Sequence, residues 1–161
     1  MIHAAMAFDG GVRGGNPGHA GFAAVITIAG QMHTIARPLK GLRTNNYAEY
    51  MGLIVGAKYA HSLGADEIDI TSDSKLVVNQ VNDNWRVDSH DMLQLCSEAQ
   101  AILDLRFPGS WTLEWVPRLQ NVIADAACAQ AVRCSLNPWI PNKLDPFAVK
   151  PRVKRTVRRT V

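Results

Sequence analysis

Charge is scarce in this sequence, cysteine is scarcer, and no long apolar run is present. Only 19% of the 161 residues are charged, whereas 47% are hydrophobic, and this balance excludes an intrinsically disordered chain. No apolar run approaches the ~20 residues that a membrane-spanning helix requires. The length is typical of one domain, which can bury a core without a disulfide or a structural metal.

The three cysteines, Cys96, Cys128 and Cys134, form no CxxC motif and no Cys/His pair with zinc-ligand spacing. Their odd number argues against a disulfide framework. We interpret them as small buried hydrophobic residues of a protein in a reducing compartment. The opening residues lack the basic start of a signal peptide and reach Asp9 too early for one, so we expect a cytoplasmic protein that does not bind membranes.

The few charges are unevenly placed, because the end of the chain is strongly basic. Residues 1–149 carry 11 basic and 14 acidic residues, whereas the remaining residues carry six basic residues and no acid. The six are Lys150, Arg152, Lys154, Arg155, Arg158 and Arg159. With several prolines, they predict an extended tail over 137–161 that follows one folded domain over 1–136. Such a tail favours a polyanionic partner, and a solubilising end is the alternative.

The hydrophobic pattern changes between strand and helix periods in an order typical of an α/β domain. Apolar segments predict strands at 2–8, 20–29, 32–38, 67–72 and 111–116. Helical spacing predicts helices from Thr44 to about Gly64, from Ser74 to about Val81, and over 90–105 and 121–135. We therefore expect a mixed five-stranded sheet, its first three strands antiparallel, with helices on both faces.

Four acids fall where this topology brings side chains together. Asp9 is expected to end the first strand and Asp73 the fourth, and the carboxyl ends of strands form the usual ligand-binding edge of an open α/β sheet. Glu49 lies one turn into the first long helix, and Asp125 lies among apolar residues early in the last helix. Converging carboxylates repel one another, and hard divalent cations such as Mg²⁺ or Mn²⁺ remove that repulsion. Two such ions suit in-line displacement at phosphorus.

Each acid also has a simpler explanation when it is taken alone. Asp9 can cap a turn, Asp73 can cap the helix that follows it, and Glu49 can be an ordinary helix acid. Asp125 can pair with Arg118 across the turn before the last helix. All four explanations would have to hold together, so we favour a shared site.

Several motifs around these acids resemble type 1 ribonuclease H. They are 8–11 (FDGG), 15–21 (GNPGHAG), 44–50 (TNNYAEY), 71–77 (TSDSKLV) and 115–118 (WVPR), followed by Asn121 and by 124–125 (AD). The motifs occur in the order and in the strand and helix context of the family, and the resemblance covers about residues 2–135. It implies the ribonuclease-H-like fold, with the catalytic domain over 1–136.

The resemblance further implies hydrolysis of the RNA strand of RNA/DNA hybrids with two Mg²⁺ ions, for which Mn²⁺ is a substitute. In the family pattern Asp9 bridges both ions, and Asp125 joins it on the ion that activates water. Glu49 and Asp73 join Asp9 on the ion that faces the leaving 3′-oxygen. The products would carry a 5′-phosphate and a 3′-hydroxyl, and we expect a monomer.

Seven residues are expected to contact the substrate: Gly10, Asn16, Thr44, Asn45, Asn46, Ser74 and Arg118. Four of these, Asn16 and the three residues 44–46, match family positions that contact the hybrid. Short amides and hydroxyls can reach ribose groups in a shallow minor groove without demanding one base sequence. Glu49 is also placed to contact a ribose 2′-hydroxyl. Asn16 as a turn residue and Thr44 as a plain helix cap are the alternatives.

The sequence departs from many family members in two places. The loop before the last helix has Arg118 where many members have a histidine, and arginine cannot shuttle protons near neutral pH. The second departure is the absence of the basic, Trp-rich protrusion of some members. The corresponding segment, 82–88, is short and nearly neutral in charge. We expect Trp85 to close the core, with stacking on a DNA sugar as the alternative, and the basic tail to contact phosphates instead of the protrusion.

Two other functions fit parts of the pattern. A hybrid-binding module that no longer cuts would not need all four acids. Another nuclease of the same fold would leave Asn16 and 44–46 without a purpose. No Ser-His or Cys-His pair is placed for nucleophilic chemistry without a metal. We therefore favour the hybrid endonuclease.

Overall fold

The computed structural model describes residues 1–137. The predicted basic tail, including Lys150, Arg152, Lys154, Arg155, Arg158 and Arg159, lies outside the described residues apart from Asn137. The predicted fold class is confirmed: five strands form one mixed sheet with helices on both faces. In the described part of the chain, no helix is both long and apolar enough to span a membrane.

The sheet has the strand order β3-β2-β1-β4-β5. The strands are β1 (His3–Arg13), β2 (Gly18–Ile28), β3 (Gln31–Arg43), β4 (Glu67–Ser72) and β5 (Trp111–Trp115). The first three strands pair antiparallel through short connections, whereas β4 pairs parallel with both β1 and β5. The parallel pairs require crossovers, and helices supply them.

The helices begin where the sequence offers caps. They are α1 (Asn45–Ser62), α2 (Lys75–Val81), α3 (His90–Arg106) and α4 (Val122–Leu136), and a 3₁₀ turn (Arg118–Gln120) precedes α4. Thr44 Oγ1 accepts a hydrogen bond from the backbone nitrogen of Tyr47 at 3.2 Å, which caps α1. Ser74 Oγ accepts one from the backbone nitrogen of Val77 at 3.3 Å, which caps α2. Both predicted helix starts are confirmed.

Alternate residues of the strands bury two separate cores on opposite faces of the sheet. On one face Phe8 and Ile35 share a cluster with Leu53 of α1 and with residues of α2 and α3. On the other face Ala36, next to Ile35 in β3, packs with Ala131 and its neighbours in α4. Small side chains on this second face let α4 approach the sheet closely. All three cysteines are buried and free, as predicted.

Strand β1 is longer than the sequence pattern indicated, and the expectation that Asp9 ends it is wrong. The antiparallel ladder with β2 continues through Asp9 to the pair Arg13 and His19. The parallel ladder with β4, however, stops at Ala7 and Thr71. Asp9 therefore lies inside a strand but just beyond its parallel pairing, where β1 and β4 separate and leave room for side chains and a ligand.

Trp85 does not close the core. Its exposed fraction is 49%, and it lies in the irregular segment between α2 and α3. The core beneath this segment is filled by Val81 of α2 and Leu95 of α3 instead. The prediction that Trp85 is buried rested on its large apolar side chain, and the path of the loop leaves that side chain partly exposed instead.

Gly10 lets β1 pass close to the start of α1, whereas Gly11, which faces α4, is under no such constraint. A Cβ atom at Gly10 would overlap the backbone of Ala48 and Glu49 at the start of α1. A Cβ atom at Gly11 would lie 3.4 Å from Cys128 Sγ of α4, an ordinary contact. The absence of a side chain at Gly10 thus sets how near the first turn of α1 comes to β1.

We predict that Gly10→Ala lowers the free energy of unfolding by about 3 kcal/mol, because backbone atoms of α1 must move away from β1. Urea denaturation monitored by circular dichroism measures the change. Gly11→Ala is the matched control and should cost less than about 1 kcal/mol. Equal losses in the two variants would contradict this account of Gly10.

Candidate active site

One cavity of about 730 Å³ contains all four predicted acids. Asp9 comes from β1, Glu49 from one turn into α1, Asp73 from the position just after β4, and Asp125 from the first turn of α4. Four separate elements therefore contribute one carboxylate each. The convergence predicted from the sequence is observed, and what the acids do there remains a proposal.

Asp9 is the acid most perturbed by its surroundings. The residue is half-buried, and its pKa is raised from 3.8 to about 7, with burial as the largest cause. The charge of Asp73 is the second cause of this rise, and the charges of Asp125 and Glu49 make smaller contributions to it. A hydrogen bond from the backbone of Gly10 acts in the opposite direction. Near neutral pH, Asp9 is thus only partly ionised unless a cation joins the site.

Ser74 connects Glu49 to the end of β4. Its hydroxyl donates a hydrogen bond to Glu49 Oε2 at 2.6 Å and also caps α2. Burial raises the pKa of Glu49, and the bond from Ser74 partly offsets that rise. Ser74 is buried and its hydroxyl orients Glu49, and the contact with substrate predicted for it stays a prediction.

Asn121 holds Asp73 and was not among the predicted site residues. Its Nδ2 donates to Asp73 Oδ1 at 2.7 Å and to the backbone oxygen of Phe8 at 2.9 Å. Its backbone oxygen accepts from the backbone nitrogen of Asp125 at 3.0 Å. One buried residue therefore joins the segments that carry Asp9, Asp73 and Asp125. The sequence signal was an asparagine at a helix start, which ordinarily indicates a cap.

Asp125 pairs with Arg118, as one of the simpler explanations proposed. Arg118 Nη2 lies 3.1 Å from Asp125 Oδ1, with 76% of the arginine side chain and 42% of the aspartate side chain exposed. This exposed pair contributes little to stability. Asp125 also lines the cavity that contains the other three acids. The ion pair with Arg118 is therefore compatible with a site that the four acids share.

The remaining predicted contact residues lie between this cavity and a second groove. Asn16 Oδ1 accepts a hydrogen bond from the backbone nitrogen of Asn45 at 3.0 Å, which ties the turn after β1 to the start of α1. Asn45 lines the acidic cavity, whereas Asn16, Thr44 and Asn46 line the groove that leads to α3. Gly10 lines the acidic cavity with its backbone. The amide set therefore forms a continuous polar ridge beside the acids.

The donor set fits a hard divalent cation. Within residues 1–137, no three His, Cys, Asp or Glu side chains are gathered into a ready-made metal site. All four acids nevertheless offer carboxylate oxygens, the ligands that Mg²⁺ and Mn²⁺ prefer. Asn121 donates a hydrogen bond to one oxygen of Asp73, and Arg118 donates one to one oxygen of Asp125. The pKa of Asp9 is raised by burial first and by the neighbouring acids second, and a bound cation would favour its charged form against both.

Comparison with known proteins gives matches over most of the described chain. Residues 7–131 match the family model described as Reverse transcriptase-like. The Bifunctional protein Rv2228c of Mycobacterium tuberculosis is 43% identical over 126 residues, which are 77% of this chain and 34% of that protein. This chain thus spans about a third of the length of that relative.

Solved structures agree with these matches. The N-terminal RNase H domain of Rv2228c is 38% identical, with a TM-score of 0.79 over 86% of this chain and 99% of that one. RNase H1 from the halophilic archaeon Halobacterium salinarum is 32% identical, with a TM-score of 0.75 over 81% and 98%. LC11-RNase H1, isolated from compost and solved in complex with an RNA/DNA hybrid, is 30% identical, with a TM-score of 0.75 over 83% and 99%.

We predict that Asp9→Asn stabilises the fold at neutral and alkaline pH when no divalent metal is present. The pKa of Asp9 is about 7 in the folded chain and near 3.8 in the unfolded chain, so the folded state loses stability as the pH rises between these values. Thermal unfolding should show a higher midpoint for Asp9→Asn than for the wild type at about pH 8, and a smaller advantage at about pH 5.

Glu114→Gln, at an exposed position of β5, is the control for removing a charge outside the cavity. The difference in unfolding midpoint between Glu114→Gln and the wild type should not increase from about pH 5 to pH 8, as it should for Asp9→Asn. A constant advantage of Asp9→Asn from about pH 5 to pH 8 would contradict the raised pKa.

Proposed function

The chain belongs to the type 1 ribonuclease H family, and from this premise we propose that it is an endonuclease that hydrolyses the RNA strand of RNA/DNA hybrids. One observation carries the proposal: four carboxylates from four elements face one open cavity. A module that only binds hybrids would have no use for this concentration of negative charge, because the acids repel a polyanion. A relative 30% identical to this chain was solved with a bound hybrid.

The polar ridge beside the acids suits a hybrid substrate. Asn16, Thr44 and Asn46 present short polar groups at an exposed edge, and Asn45 reaches the acidic cavity. Such groups contact sugars and base edges of a shallow minor groove without reading one sequence. Glu49 lies next to this ridge and is placed to accept a hydrogen bond from a 2′-hydroxyl, the group that distinguishes RNA from DNA.

We propose that Asp9, Glu49, Asp73 and Asp125 hold two Mg²⁺ ions, or Mn²⁺ in their place. When bound, the two ions supply a water activated for attack on phosphorus and stabilise the departing 3′-oxygen, which leaves 5′-phosphate and 3′-hydroxyl products. Asp9, central among the acids, would be shared by both ions. Asp125 would serve the water side, and Glu49 and Asp73 the leaving-group side.

Other side chains keep these acids in place. Asn121 fixes one oxygen of Asp73, and Ser74 fixes one oxygen of Glu49. Trp115 Nε1 donates to the backbone oxygen of Asp73 at 3.1 Å, which fixes the end of β4. These hydrogen bonds orient the acids before substrate arrives, which reduces the reorganisation that catalysis requires.

The rest of the assignment is proposed in the same terms. The protein acts as a cytoplasmic monomer, and Lys150, Arg152, Lys154, Arg155, Arg158 and Arg159 contact substrate phosphates. Neutralising several phosphates gives a steep salt dependence of binding, so removal of residues 148–161 should raise KM and flatten its dependence on salt.

The direct test is cleavage of an end-labelled RNA/DNA hybrid with and without Mg²⁺ or Mn²⁺. We expect metal-dependent cutting of the RNA strand alone, no cutting of duplex DNA, duplex RNA or single strands, and loss of activity of at least about 10³-fold in Asp9→Asn. Glu114→Gln should retain wild-type activity. Binding of the hybrid without cleavage would assign a binding module, and cleavage of another substrate would assign a different nuclease.

We predict that Arg118→Ala lowers kcat/KM about tenfold without changing the shape of the pH–rate profile. Arg118 orients Asp125 through a charge-assisted hydrogen bond, and a tenfold loss corresponds to about 1.4 kcal/mol of transition-state stabilisation rather than of folding stability. Arginine does not titrate near neutrality, so its removal deletes no proton-transfer group. Arg118→Lys should recover part of the activity. A shifted pH profile in Arg118→Ala would show that this residue takes part in proton transfer.

A further inference from the structure

The acidic cavity extends beyond the four acids and ends in two arginines. Arg13, the last residue of β1, and Arg133, near the end of α4, line the same cavity as Asp9 and Asp125. Neither arginine belongs to the motifs that identify the family, and neither contributes to the polar ridge on the opposite side of the acids. Their position in the cavity therefore calls for a separate explanation.

The fold brings these two arginines to one end of the cavity. Beyond Asp9, β1 continues over α4, and a Cβ atom at Gly11 would contact Val132 as well as Cys128. Arg13 follows two residues later in β1, and Arg133 is adjacent to Val132 in α4. On α4, Asp125, Ala129 and Arg133 are spaced four residues apart, which places them on one face with Arg133 about 12 Å along the axis from Asp125.

The charges of Arg13 and Arg133 are not neutralised by nearby acids. Both arginines are exposed, and neither forms a salt bridge within residues 1–137. Arg118 alone among the arginines of the cavity pairs with one of the four acids. Two uncommitted guanidinium groups therefore stand at the end of a channel that the acids make negative. Guanidinium is the side-chain group best suited to bind a phosphodiester.

We propose that Arg13 and Arg133 form a phosphate-contact site for the RNA strand, a few nucleotides from the bond that is cut. The proposal rests on the proposed hybrid endonuclease activity and adds a binding site to it. Arg133 lies about 12 Å along the axis of α4 from Asp125, about the length of two nucleotides of the strand whose phosphate would reach the acids, and both residues line the same cavity. The complementary strand would lie across the minor groove. The two cations offset the repulsion between that strand and the acids.

Steady-state kinetics on a short hybrid test the contact. We expect Arg13→Gln and Arg133→Gln each to raise KM about threefold, with a larger effect on KM than on kcat. Each substitution should also reduce the slope of log KM against log salt by roughly 0.9, as expected for the loss of one phosphate contact. Arg106→Gln, at the exposed end of α3 and outside both cavities, is the matched control and should change neither quantity.

A neutral linkage in the substrate locates the contact. Methylphosphonate is placed at one position at a time, first in the RNA strand and then in the DNA strand, and affinity is measured for wild type and Arg133→Gln. At one RNA position the methylphosphonate should weaken binding by the wild type. It should not weaken binding by Arg133→Gln any further, because that variant has already lost the charge pair between the arginine and the phosphate. Coupling to a DNA-strand position instead, or additive effects at every RNA position, would overturn the proposal.

The outcomes separate this proposal from the function on which it rests. If the wild type neither binds nor cuts the hybrid in preference to duplex DNA, the proposed function fails. If the wild type cuts the hybrid and both arginine variants match Arg106→Gln in KM and salt slope, the function stands and the phosphate site is refuted.

Discussion

The gathering of four carboxylates in one partly buried cavity is the constraint on which the arrangement of this site depends. Burial first, and the charge of Asp73 second, raise the pKa of Asp9 to about 7 and raise that of Glu49 as well. The fold tolerates this cost because uncharged donors and one arginine hold the acids individually. Asn121 binds Asp73, Ser74 binds Glu49, and Arg118 binds Asp125. Each of these three acids therefore has one oxygen held by a neighbouring side chain.

Close packing around β1 makes that convergence geometrically possible. Gly10 allows the backbone at the start of α1, where Glu49 lies, to approach the strand that carries Asp9. On the other side, Gly21 allows α4, which carries Asp125, to approach β2, because a Cβ atom at Gly21 would lie 2.8 Å from the backbone nitrogen of Val132. Larger residues at these positions would separate the acids as well as destabilise the fold. Packing and catalytic geometry are thus two consequences of the same contacts.

Local signals in the sequence gave the most accurate predictions. Thr44 and Ser74 cap helices through hydrogen bonds within a few residues, so their helices began where the sequence indicated. Strand β4 also matched its predicted bounds, because its alternating pattern is short and ends at a helix cap. Predictions that needed distant partners were less accurate. The end of β1 depends on pairing with β2. The exposure of Trp85 depends on the path of the loop that connects α2 to α3.

The sequence by itself determined the order of elements, the fold class, the family and the four acids of the site. These follow from periodicity, caps and motifs, which are properties of neighbouring residues. Tertiary structure alone decided that Asn121 joins three acid-bearing segments and that Ser74 orients Glu49. It also placed Arg13 and Arg133, 120 positions apart in the chain, in one cavity. The physical reason is that charge interactions and hydrogen bonds act through space, and only the packed sheet and helices set those distances.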